Sequence, residues 1–144
     1  MNLSEHFTLE ELTASEIGAR KGIDNTPGPQ VQQNLVRLAK FLEEVRKVIG
    51  KPIMINSAYR SPEVNQAVGG VKTSQHCMGC AADIKVPGMN PDQVVRAIIQ
   101  SKLQYDQLIR EFDSWTHISI PNEEGSTPRG QTLIIDRAGT RPFA

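Results

Sequence analysis

Apolar residues recur between positions 31 and 49 at steps of four, three, four, three and four: Val31, Leu35, Leu38, Leu42, Val45 and Ile49. That is the period of an α-helix with one buried stripe. Pro29 suits its first turn, and Gly50 followed by Pro52 ends it, so the spacing predicts a long core helix. An earlier helix is predicted at Phe7-Thr8-Leu9-Glu10-Glu11-Leu12, where Thr8 and Glu11 have capping-box spacing and Phe7 and Leu12 can form a hydrophobic staple. Gly22 and Asn25-Thr26-Pro27-Gly28-Pro29 mark a turn-rich break between the two.

After Pro52 the period shortens. Residues 53–59, Ile-Met-Ile-Asn-Ser-Ala-Tyr, read as a short strand running into a polar loop. From Arg60 to Thr73 the chain is rich in Ser, Pro, Asn and Gly, and loops of that length in compact domains are usually functional or mobile. Residues 82–86 alternate as a second strand. Asn90 as cap and Pro91 at the first helical position start a further helix that carries Val94, Ile98 and Ile99. Residues 115–120 read as a third strand and 132–136 as a fourth, with no internal repeat. The fold class is α+β, one domain over residues 1–144, with a small and mostly antiparallel sheet.

Composition narrows the function. At 38% apolar and 22% charged residues, a chain of 144 residues can bury a core and is not globally disordered. Sixteen basic residues balance sixteen acidic ones, which removes the field that non-specific nucleic-acid or anionic-membrane binding needs. No apolar run approaches the roughly 20 residues that span a bilayer. The opening Met1-Asn2-Leu3-Ser4-Glu5-His6 has neither a basic nor an apolar signal region, so the expectation is a chain made in a cytoplasm without a signal peptide.

Strand alternation then picks out candidate chemistry. In 82–86, Asp83 and Lys85 share one face; in 115–120, Trp115, His117 and Ser119 share one. If the isoleucines face the core, Asp83 and His117 project from the same open sheet face. His76, seven residues before Asp83 and separated from it by the turn residue Gly79, can fold over that face. Two imidazoles and a carboxylate are the ligand set of many catalytic zinc sites. Cys77 and Cys80 form a rival C-x-x-C, which elsewhere is a redox dithiol or half of a structural zinc site. The redox form wants a strand–helix context, and a Cys/Cys/His site leaves Asp83 without a role. His6 lies outside every motif and reads as a surface residue.

The wording around these residues is more specific than their spacing. Ser74-Gln75-His76-Cys77-Met78-Gly79-Cys80-Ala81-Ala82-Asp83 fits S-x-H-x-x-G-x-A-x-D, and Trp115-Thr116-His117 fits a downstream W-x-H. Together they resemble the zinc D-Ala-D-Ala carboxypeptidase-like peptidases, the M15 family, which share a fold core with the hedgehog signalling domain. Ser57-Ala58-Tyr59-Arg60-Ser61-Pro62, Asn65, Val68-Gly69-Gly70, the opening Phe-Thr-Leu-Glu-Glu-Leu and Asn25-Thr26-Pro27 extend the resemblance over residues 7 to 120. It is closest to the compact branch found in phage endolysins and prophage lysis regions.

The resemblance implies helices packed on one face of the sheet and a one-zinc site on the open face, with His76, Asp83 and His117 as ligands. Zinc in such a site lowers the pKa of water to about 7 and polarises the scissile carbonyl. Glu111 is the implied proton shuttle, with Asp113 as the alternative base; both share the parity of His117 if its strand starts early. Arg60 is implied to hold a substrate carboxylate or carbonyl, with Ser74, Gln75 and Trp115 as further substrate-side residues. The cysteines fall at variable motif positions and read as free thiols. The implied function is hydrolysis of an amide bond in peptidoglycan stem peptides or cross-links by a phage or prophage endolysin, which reaches the periplasmic wall through a holin. No nucleic acid, stable membrane association or assembly beyond a monomer is called for. A zinc-binding module without catalysis, docking wall peptide or a phage partner, is the second reading. The bond cut stays open.

Overall fold

The computed structural model describes residues 1–143. Thr8 caps as its spacing predicts, its hydroxyl accepting from the Glu11 N–H, but the helix it starts is short: α1 (Leu9–Thr13). The chain straightens at Ala14 and restarts on Ser15, whose hydroxyl caps α2 (Glu16–Lys21). The predicted opening helix is therefore followed by a second one. α3 (Pro29–Ile49) carries the whole apolar stripe. Leu35, Leu38, Leu42 and Val45 are fully buried, Val31 and Ile49 pack against the same core, and Gly50 at φ 74° ends the helix.

β1 (Met54–Ser57) is shorter than the predicted 53–59 strand, with Ile53, Ala58 and Tyr59 buried beside it. The polar stretch after Arg60 is not all loop. It contains α4 (Pro62–Ala67), capped by the Ser61 hydroxyl on the Val64 N–H. Six residues make too few turns for a helical period to show. A 3-10 turn (Gln75–Met78) leads into β2 (Ala81–Lys85), and α5 (Pro91–Ser101) follows with the predicted Asn90 cap, completed as a capping box by Gln93. Val94 and Ile98 face the core while Ile99 is exposed. The chain ends in β3 (Gln107–Glu111), β4 (Trp115–Ser119), β5 (Gln131–Asp136) and β6 (Gly139–Pro142).

The six strands form one sheet in the order β1-β2-β4-β3-β5-β6, antiparallel except for the parallel pair β3–β5. Ala82, Ile84, Leu108 and Ile118 pack with Leu35, Leu38 and Leu42 of α3 and with Val94 and Ile98 of α5 in one apolar core. Each of the leucine, isoleucine and valine side chains contributes about 1.5–3 kcal/mol on burial. That core fixes the register, since a one-residue slip would turn the apolar set outward. The alternate residues Asp83, Ile109, Glu111, Trp115 and His117 therefore share the other face: Asp83 pairs with His117, Ile109 with His117, and Glu111 with Trp115. Among the described residues no helix is long and apolar enough to cross a membrane.

Gly79, between the 3-10 turn and β2, has a left-handed backbone at φ 73° and lies against α3. A Cβ there would sit 2.9 Å from Val31 Cγ1 and 3.0 Å from the Val31 carbonyl oxygen. Gly79→Ala combines left-handed strain with a clash against backbone and is expected to destabilise by about 2–4 kcal/mol, measured by urea unfolding.

Candidate functional site

The β2–β4 pairing sets Asp83 opposite His117, with His117 Nδ1 3.0 Å from Asp83 Oδ1. His76 arrives from the 3-10 turn, where its own N–H donates to the Ser74 hydroxyl that caps the turn. His76 Nδ1 lies 2.6 Å from the Ala58 carbonyl oxygen, which can only accept, so the proton is on Nδ1 and the Nε2 lone pair is free. That Nε2 lies 3.3 Å from Asp83 Oδ1. The two rings meet edge-on with centroids 5.1 Å apart.

One donor atom from each residue lies within 4.8 Å of the others, and all three side chains are buried. Ligands about 2.0–2.2 Å from a tetrahedral ion stand roughly 3.3–3.5 Å apart, so this arrangement fits a zinc-sized ion with small movements. Among the described residues this is the one group of three or more His, Cys, Asp or Glu placed to hold a metal. Burial alone would raise the Asp83 pKa, but the neighbouring His117 and His76 rings more than offset it and hold the carboxyl well below the usual range. Asp83 is thus an anion at neutral pH, as a ligand must be.

Glu111 ends β3, and its Oε1 lies 4.0 Å from His117 Nδ1. Burial pushes its pKa up and the Asp83 charge adds to this, while His117, the Trp115 indole N–H and Arg60 pull it back. The parity that suggested Glu111 came from an early start to the His117 strand, which the structure does not have. A turn at 112–114 intervenes, with Phe112 and Asp113 left-handed at φ 53° and 50°, and Glu111 reaches the site from the neighbouring strand. Asp113 sits on that turn, exposed, with its Oδ1 3.0 Å from Arg110 Nε and away from the cleft.

The cleft has a volume of about 630 Å³ and is walled by Arg60, Ser74, Gln75, Glu111, Trp115 and Arg129 around the three candidate ligands. Arg60 is tied by its N–H to the His76 carbonyl. Its Nε is buried without a partner, and Nη2 has only a long 3.5 Å contact to the Ser74 hydroxyl. The guanidinium is therefore largely free to bind something in the cleft. The buried Trp115 N–H likewise lacks a full hydrogen bond. Gln75 is differently placed from a free substrate ligand. Its amide N–H group faces Asp106 Oδ2, the Ile120 carbonyl and Asn122 Oδ1 at 2.9–3.1 Å. It braces the turn that carries His76 against the chain after β4.

The cysteines do not join the metal group. Cys80 is fully buried with Sγ 3.7 Å from Arg37 Nη2, whereas Cys77 lines a separate cavity beside Pro62 and Lys72. Burial raises the pKa of both thiols, and both are free. His6 is tied to Glu43 at 2.6 Å, outside the site. Asp106 and Arg129 belong to no motif of the sequence; they are 23 residues apart and paired at 2.6 Å, with Arg129 in the cleft wall. No local pattern signals such a pair.

The sequence profile described as Peptidase M15 matches residues 5–119. The chain belongs to the M15 peptidases. No curated protein matches it. As an M15 peptidase it is a hydrolase and a metallopeptidase by family, and the matched span holds Arg60, His76, Asp83, Glu111 and His117. Arg129, β5 and β6 lie beyond that span.

Proposed function

We propose that this M15 peptidase uses one zinc ion, held by His76, Asp83 and His117, to hydrolyse an amide bond in peptidoglycan stem peptides or cross-links, as the endolysin of a phage or prophage. The observation that carries this reading is the convergence of the three ligand atoms in a cleft that also presents Glu111 and a largely unpartnered Arg60. Zinc, when bound, supplies Lewis acidity, lowering the pKa of water and polarising the scissile carbonyl. Glu111 takes the proton from the attacking water and returns it to the leaving amine. Its place on β3 keeps the carboxyl beside the ligand group rather than in it. Arg60 offers the planar fork that holds a carboxylate, or the developing oxyanion, with paired hydrogen bonds. The catalytic domain works as a monomer on the periplasmic wall after release through a holin.

The test is digestion of purified Gram-negative peptidoglycan by zinc-loaded protein, with mass spectrometry of the soluble fragments and an EDTA-treated sample alongside. New amine termini that disappear with EDTA support the reading and identify the bond. A protein that holds one zinc and releases nothing would instead be a binding module.

A further inference from the structure

Arg129 is held as a ligand-binding arginine is held. Its backbone N–H donates to Asp106 Oδ1 at 3.0 Å, while Nε and Nη2 donate to Asp106 Oδ2 at 3.0 and 2.6 Å. Nη2 also reaches Gln75 Oε1 at 3.4 Å. Asp106 is buried, and Gln75 Nε2 shares its Oδ2, so both carboxylate oxygens are occupied and little of their charge faces the cleft. Among the described residues Arg129 Nη1 has no hydrogen-bond partner, and the side chain is about half exposed on the cleft wall. A guanidinium aimed by a buried carboxylate, with one nitrogen left over, is preorganised to grip an anion.

Its position is distinct from that of Arg60. Arg60 follows β1 and Arg129 precedes β5, so in the order β1-β2-β4-β3-β5 the strands bearing Asp83 and His117 lie between them. A peptide lying in the cleft can meet one guanidinium on each side of the metal group. We infer that Arg129, aimed by Asp106 and Gln75, is a second carboxylate subsite, selecting peptides with a free carboxylate apart from the scissile bond. The α-carboxylate left free by a γ-linked glutamate is of this class. The inference rests on the proposed peptidoglycan substrate and deepens it.

Binding separates the two ideas because it does not require turnover. Zinc-loaded Glu111→Gln protein is titrated calorimetrically with L-Ala-γ-D-Glu-L-Lys and with the same peptide carrying a carboxamide in place of the glutamate α-carboxylate. The acid is expected to bind about tenfold tighter, the size of one charge-assisted hydrogen-bond pair. Adding Arg129→Gln should bring the ratio to near one, and Arg129→Lys should leave part of it, since lysine keeps the charge without the fork. A merely structural Arg129 would weaken both peptides alike and leave the ratio standing. Equal affinities in the Arg129-containing protein, or a ratio that survives Arg129→Gln, overturn the subsite alone. Binding of neither peptide overturns the substrate class and the subsite with it.

Discussion

Glu111→Gln is expected to lower kcat by about 10²–10⁴-fold, the range for losing a positioned general acid–base group, while zinc content and fold are kept. Glutamine preserves volume, so the half-buried position at the end of β3 stays filled. What disappears is the group that can take a proton from water and give it to an amine. Because Glu111 lies beside the ligand group rather than among its three donors, zinc per chain should not change. Asp113→Asn is the matched control. Asp113 is exposed on the 112–114 turn and faces Arg110, and surface changes of that kind usually shift energies by no more than about 0.5 kcal/mol. The check is kcat on a soluble stem peptide beside metal analysis of the same preparations. If Glu111→Gln keeps near-normal kcat, another group moves the proton.

Asp83→Ala is expected to abolish zinc binding in the working range, a loss beyond the roughly 10–100-fold that follows from removing an outer-shell partner. Asp83 is the one anion among the three donors, and its Oδ1 is the atom both histidines approach, at 3.0 and 3.3 Å. Without it two imidazoles face each other across a buried gap. Thermal unfolding gives a readout independent of activity. A ligand at 100 times its Kd stabilises the folded state by about 2.7 kcal/mol, which for a domain of this size raises Tm by roughly 5–10 °C. Zinc should raise the Tm of the wild type and of Glu111→Gln by such an amount, and leave that of Asp83→Ala unmoved. A zinc-dependent rise that persists in Asp83→Ala would place the metal elsewhere.

The candidate metal group was legible because its signals are local. Alternation put Asp83 and His117 each on the polar face of its strand, and antiparallel pairing of those strands is enough to bring them together. Gly79 marked the turn that swings His76 over them, and its left-handed φ against Val31 explains why a glycine stands there. Glu111 was reached through a wrong local picture. Phe112 and Asp113 adopt left-handed backbone without the Gly or Asn that advertises it, so the turn at 112–114 read as an extension of β4. The short helix α4 gave too few residues for a period, and β6 is exposed along its length, so neither patterned. The C-x-x-C spacing offered a rival that sequence context already disfavoured, and its two thiols indeed have different neighbours. The pairing of Asp106 with Arg129, and the use of Gln75 as a brace, depend on where the chain after β4 returns, which no window of sequence contains.

X-ray absorption on the zinc-loaded protein tests the metal centre most directly. The account predicts one zinc per chain with only nitrogen and oxygen neighbours at about 2.0–2.2 Å: two imidazoles, one carboxylate and an open position for solvent or substrate. A sulfur shell at about 2.3 Å would place the ion on Cys77 or Cys80 and contradict the assignment of His76, Asp83 and His117.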